Sequence, residues 1–473
     1  MARAGALHDL GVYTLLAGAF LPIADFFIVN VALPTIASEL HASAAALELV
    51  IAAYGIAYAA VLVLGGRLGD RFGRHIVFQV GLIGFILMSL ACGLATNIGM
   101  LVVARVVQGA TAALLIPQVL AISHATLAGE RKARALALYG ATSGIAAVFG
   151  QLAGGLLVSA DVWGLSWRPI FLINVPAGIL VLLVARALIP ANRAAHPLSL
   201  DVPGTVLFAA TLTAVLLPLS EGHSQGWPAW CWLMLLAASA LAVATVIVEK
   251  HTEDRGKVPL LPPSLLGLPS MARGLPMMGV FSMGFGAFMF VFALSIQHGL
   301  HASPLSSGLT ILPMGAMFFV VSVFSTRLIH RFGRAALAAG GIVQGAGLAL
   351  LVTLFLEDWP TPLWLLALPI FLLGAGQSIL FAGLFRAVLA DVPPQFAGVG
   401  SGALITLQQA GFALGVATIG TVYLALEPFG IPSAFAVSIG IQLVATVLLV
   451  ASTLTLPRFK SYQGDGDAPP IEL

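Results

Sequence analysis

Fourteen apolar runs, each near or above the ~20 residues needed to cross hydrocarbon, succeed one another along this 473-residue chain. A fold in water needs a polar coat, and here 59% of the residues are hydrophobic and 8% charged, against roughly a quarter charged in soluble domains. Lipid offers no partner to a backbone amide, so spanning segments must be helices or a closed barrel. Continuous runs, not ten-residue alternation, select helices. The runs predict helices over 11–33, 45–65, 77–96, 100–124, 135–160, 169–189, 202–220, 229–249, 274–297, 305–328, 336–356, 361–386, 396–424 and 432–456. The fold class is an all-α membrane protein of fourteen transmembrane helices.

Charge tests that topology. With both termini cytoplasmic, all of the 21 Lys and Arg fall in tails or cytoplasmic loops except Arg105, inside a span, and Arg168, in an outer loop. This is the positive-inside pattern. All 7 tryptophans are expected at or near outer loops, as an interfacial belt. The first run is long and continues into an acidic, Asn-containing helix, so it reads as an uncleaved span. A net charge of +2 gives no reason to expect nucleic acid. Cys92 and Cys231 are too few and too far apart for a disulfide or metal framework and read as packing.

The loop GGRLGDRFGR, Gly65 to Arg74, returns in eroded form as TRLIHRFGR, Thr326 to Arg334. Each copy follows the second helix of a six-helix set. The predicted organisation is an N-terminal half over 1–190, two inserted helices over 191–250, a cytoplasmic linker over 251–273, a C-terminal half over 274–456 and a disordered cytoplasmic tail over 457–473. Two parallel halves are a transporter architecture, with the binding site near the midplane between them.

Four motifs in order carry a family resemblance. GGRLGDRFGR resembles the signature between helices two and three of the major facilitator superfamily. ADFFIVNVALPTI, Ala24 to Ile36, resembles the first-helix motif of its fourteen-helix drug:proton antiporter branch, and RVVQGATAALLIPQ, Arg105 to Gln118, the fourth-helix motif. GQLAGGLL followed by SWRPIFLINVPAG resembles the fifth-helix antiporter motif and the start of helix six, with Gln151 after Gly150 where the family usually has Pro. The resemblance implies a multidrug-efflux type of transporter in which Arg105 takes part in proton coupling. It also implies that Asp70 latches the halves in the outward-open state, against the helix beginning near Ala397. His330 stands at the matching position of the second copy, so the latch is expected in the first loop.

The residues themselves point the same way. Asp25 is the one acid placed deep inside a helix, where an ionised carboxylate costs about 2.5–3.5 kcal/mol on insertion scales. It can carry a proton, a cationic substrate or each in turn; the alternative is a structural carboxylate locked to an Arg or to backbone donors. Arg105 needs an acceptor and either biases Asp25 or holds carbonyls; Gln108 lies on its face one turn on. Asn30, Gln108, Gln151, Gln377, Gln408 and Gln409 are the substrate-cavity candidates. Gly66, Gly69, Asp70, Arg71, Gly73 and Arg74 form the candidate latch. Gly144, Gly150, Gly154 and Gly155 form the antiporter-like motif on helix five, read as close helix packing and a seam between halves.

No phosphate loop or HExxH is present, so an enzyme is not expected, nor a cofactor or metal. The expected function is proton-coupled export of lipophilic or cationic drugs or toxic compounds by alternating access, by a monomer in the cytoplasmic (inner) membrane. Its partners would be a small substrate, protons and the lipid bilayer. The alternatives are a dedicated exporter of one endogenous metabolite or lipid, and a non-transporting sensor or scaffold of the same fold.

Overall fold

The computed structural model describes residues 7–191, 201–222, 225–257, 259–357, 359–393 and 396–456. Among them are fourteen helices long and apolar enough to span: α1 Asp9–Leu40, α2 Ala45–Leu62, α3 Arg74–Gly93, α4 Ile98–Thr126, α5 Leu138–Ala160, α6 Pro169–Leu188, α7 Val202–Leu219, α8 Ala229–Asp254, α9 Pro269–Gly299, α10 Pro304–Ser325, α11 Arg334–Glu357, α12 Leu363–Leu389, α13 Val399–Phe429 and α14 Ile431–Thr453. Short polar residues start several of them. Ser43, Asn97, Asp201 and Ser303 each accept a hydrogen bond from the backbone amide three residues on, satisfying donors that a helix start leaves open. Pro22 and Pro34 sit inside α1, and Pro276 inside α9; neighbouring helices compensate for such breaks in a membrane.

The two halves repeat one packing scheme. In the first, α1 lies along α5, α2 along α4, and α3 between α4 and α6. In the second, α9 lies along α13, α10 along α12, and α11 between α12 and α14. The halves meet along α2 with α13 and α5 with α10. The insert is asymmetric: α7 packs on α2 beside α13, while α8 packs mainly on α7. We call the end where α2 joins α3 the motif end, and the opposite one the far end.

Three expectations need correction. The basic motif is not a loop. The helix containing α2 runs Ala44–Phe72 and breaks only at Gly73, whose φ of 108° favours glycine. Backbone hydrogen bonding continues where hydropathy stops. The segment 251–273 is not all linker either: α8 continues to Asp254, a short helix covers Pro263–Leu266, and α9 starts at Pro269. Between them Arg67 donates to the Pro259 carbonyl, Asp201 accepts from the Leu260 amide at 2.8 Å, and Glu249 accepts from the Leu261 amide at 2.9 Å. Trp167 is fully buried against Phe171 and does not join an interfacial belt, whereas Trp163 and Trp364 are exposed. The predicted tail, 457–473, lies outside the described residues.

Close helix contact in lipid depends on small residues. A Cβ at Gly109 on α4 would sit 2.2 Å from the Tyr54 carbonyl oxygen on α2, whereas one at Gly140 would meet nothing within 4 Å. Gly109→Ala should therefore cost stability on the scale of overpacking, about 1–3 kcal/mol, and lower the melting temperature of detergent-purified protein. Gly140→Ala, measured beside it, should be neutral.

Candidate functional site

The charged centre of the first half assembles from five helices. Asp25 on α1 and Arg105 on α4 are both buried, with Arg105 Nη1 2.5 Å from Asp25 Oδ2. Asp25 Oδ1 accepts from Asn174 Nδ2 on α6 at 2.6 Å and from Gln108 Nε2 at 3.1 Å. Both amides also donate to Ser89 on α3, at 3.2 and 2.7 Å. Arg105 Nε reaches the Val50 carbonyl on α2 at 3.1 Å, Nη1 reaches Gln108 Oε1 at 2.9 Å, and the guanidinium lies 4.1 Å from the Tyr54 ring centroid. Three donors, one of them cationic, converge on this carboxylate. The network thus combines two roles open to Arg105: it faces Asp25 and it holds a carbonyl.

Ser89 and Asn174 were not singled out from the sequence. Neutral polar residues in apolar runs leave no periodic signal, although Asn174 stands within the quoted SWRPIFLINVPAG. Asp25 is also not the only acid buried in a span. Glu48, in the first turns of α2, is 1% exposed. Its place near the start of an apolar run reads as interfacial until α7 and α13 are seen to cover it.

A cavity opens between the halves, on the motif side of the far-end contacts. Aromatic residues dominate its lining: Phe27 on α1, Tyr139 on α5, Phe281 and Phe285 on α9, Phe318 on α10, Phe381 on α12 and Phe412 on α13. Gln408 and Gln409 are its amides, and no acid or base among the described residues lines it. Of the six cavity candidates, only these two glutamines line it. Gln108 is occupied by the ion pair. Gln151 is buried with Nε2 3.5 Å from Met289 Sδ, and Asn30 and Gln377 are buried elsewhere. Asp25 is likewise absent from the lining. Ile23 and Phe27, one turn apart on α1, face the cavity, so Asp25, two residues from each, faces the other way. A ring chain links the two faces: Tyr54 lies 5.8 Å from Phe26, and Phe26 5.9 Å from Phe412.

The motif residues hold α2 to α4. A Cβ at Gly69 would overlap Gln118, whose Nε2 donates to the Gly65 carbonyl at 2.8 Å; Gly66 has only Pro117 nearby. Asp70 Oδ1 accepts from Arg74 Nε and Nη2 at 2.9 and 2.7 Å, and Arg74 Nη1 donates to the Ala121 carbonyl. In this conformation Arg74 holds the carboxylate. Arg71 lies over Phe72, as Arg331 lies over Phe332 in the second copy.

On α5 the glycines alternate between neighbours. Gly150 and Gly154 meet the α1 backbone at Ala24 and Ile28, while Gly144 meets the Phe318 ring and Gly155 the Pro304 carbonyl, both on α10. One helix is thus pressed between its own half and the other.

Comparison with known proteins agrees with this architecture. The model of the Major Facilitator Superfamily matches residues 15–416, and a second match covers 276–470. The chain belongs to the Major Facilitator Superfamily. It is a multi-pass membrane transporter and not an enzyme. It is 37% identical over 420 residues to a probable actinorhodin transporter of Streptomyces coelicolor, covering 88% of this chain and 72% of that one. It is 36% identical to the puromycin resistance protein pur8 of Streptomyces alboniger, covering 87% and 81%. A solved D-xylose-proton symporter superposes with a TM-score of 0.67 at 15% identity, over 95% of this chain and 98% of that one, a likeness of fold alone.

Removing one member of a buried ion pair strands the other, at about 3–5 kcal/mol. Arg105→Met should therefore destabilise the purified protein strongly. Adding Asp25→Asn should recover part of the loss, so the two effects in thermal melts should be clearly non-additive.

Proposed function

We propose that this transporter exports lipophilic or cationic compounds, among them antibiotics, in exchange for protons. The observation that carries the reading is α1 itself, with an aromatic cavity on one face and a sealed carboxylate on the other. Stacked rings and two amides suit flat, lipophilic molecules. Cations would be held by ring faces and not by a carboxylate, since none lines the cavity. The relatives named for actinorhodin and puromycin support antibiotic-type cargo.

Protonation of Asp25 removes its charge, releases Arg105, and loosens the contact of α1 with α4 and α6. Substrate and proton therefore compete through the position of α1 and not for one atom. Tyr54, between Arg105 and Phe26, is the side chain best placed to pass that change on. In this proposal the motif end faces the cytoplasm, both termini lie there, and a monomer in the cytoplasmic membrane is the working unit. The far end is closed by the Leu305 amide donating to Ser159 Oγ at 3.0 Å and by the packing of α2 on α13. Cargo then enters the cavity from the cytoplasmic side. Asp70, held by Arg74 here, would be freed to latch on α13 when the motif end closes.

A second reading also has support: both relatives are named for a single compound, which favours an exporter dedicated to one endogenous product. A growth panel of unrelated antibiotics and dyes separates the two, because a dedicated exporter protects against few or none.

Asp25→Asn should abolish pH-gradient-driven drug uptake into inverted vesicles while the protein stays folded in the membrane. Uptake with unchanged gradient dependence would refute the coupling role. Phe412→Ala should weaken cargo binding several-fold, since an aromatic contact contributes about 0.5–1.5 kcal/mol, and leave proton coupling in place; fluorescence titration of a bound dye measures it.

A further inference from the structure

Glu48 has no role in the function described so far. It lies near the far end of α2, 1% exposed, at the point where both halves and the insert meet. From α13, Thr421 Oγ1 stands 3.0 Å from Glu48 Oε2 and 3.3 Å from Oε1. From α7 comes the Leu219 carbonyl, 3.4 Å from the same hydroxyl, and from just beyond its end the Glu221 carboxylate, which repels a charge on Glu48. Among the described residues no base forms an ion pair with it. Asp25, by contrast, has an arginine and two amides.

Counting protons decides the state of this group. Thr421 has one hydroxyl hydrogen and three acceptors around it: Glu48, the Leu219 carbonyl and the Ala417 carbonyl at 2.9 Å. A threonine in a helix donates readily to the carbonyl four residues back. If it does so here, an ionised Glu48 is left buried with no donor, at a cost that buried charges do not sustain. If Glu48 carries a proton, it donates to Thr421 Oγ1, Thr421 donates to Ala417, and the geometry is satisfied throughout. A π-turn over Val416–Gly420 delivers Thr421 to this position.

We infer that Glu48 is a second proton-binding site, a neutral carboxylic acid that bolts the far-end gate shut through Thr421 and ionises when the gate opens. The two residues sit on opposite halves, so rocking the halves apart at this end must separate them and admit water to the carboxyl group. The proton then passes to water on the far side, and closure takes one back from the same side. Alkaline far-side solution favours the open gate and acid favours the closed one. Because the proton leaves by the side it came from, this site sets the conformational balance without adding to the transported stoichiometry.

This inference rests on the alternating-access reading, but its test uses neither substrate nor gradient. Nitroxide labels at His41→Cys and Phe429→Cys, at exposed far-end positions, report the gate by pulsed EPR on the purified full chain. The expected result is a far-end-open population that rises several-fold from acid to alkaline buffer in otherwise wild-type protein. In Glu48→Gln that rise is lost and the gate stays closed. Thr421→Val raises the open population at acid pH, and Thr421→Ser restores the wild-type response. A pH response unchanged in Glu48→Gln overturns the proposal. Loss of drug export in transport assays bears on the export reading alone and leaves this result standing.

Discussion

The pairing of Arg105 with Asp25 is the interaction on which the first half depends. Neither charge can remain alone among apolar helices, and a guanidinium cannot lose its proton to escape. Once paired, their remaining hydrogen-bonding positions dictate what surrounds them. Asn174 brings α6, Ser89 brings α3 and the Val50 carbonyl brings α2. Five helices are thereby fixed about one point by donors and acceptors, where van der Waals packing alone would allow them to slide. The corresponding helices of the second half meet through uncharged groups, as where Gln344 on α11 donates to Thr446 on α14 at 3.3 Å. The repeat preserved the packing scheme and placed the charge in one copy.

That asymmetry governs what could be read from the sequence. A charge in an apolar run is conspicuous, so Asp25 and Arg105 stood out, and so did the spans that the remaining charges delimit. The bundle was legible because lipid permits few alternatives. Neutral polar residues were less informative: Asn174 and Gln151 look alike in sequence, yet one completes the ion pair and the other packs against a methionine. Which face of a helix is buried depends on neighbours far away in the chain. Hence Gln108 reads as a cavity residue and is a structural partner, and Glu48 reads as interfacial and is sealed. The basic motif taught a related lesson, since hydropathy marks where a span leaves the lipid and not where its helix ends.

The inserted pair gains a physical role from its placement. Through α7 it lies on the α2–α13 seam, the line along which the halves must part. At the motif end Asp201 and Glu249 hold the connecting chain, and Arg67 of the basic motif holds it too. The insert is therefore tied to the first half at one end and leans on both halves at the other. A body attached this way travels with the first half and leaves the second free to move against it.

The two faces of α1 have a further consequence for how such a transporter can diversify. The residues that line the cavity and those that hold charge share a helix but not a surface. Exchanging Phe27, or its counterparts across the cavity, alters the shape and polarity offered to a molecule while the ion pair behind it keeps all its partners. The lining can thus change by trial on one side of a helix without disturbing the ion pair on the other.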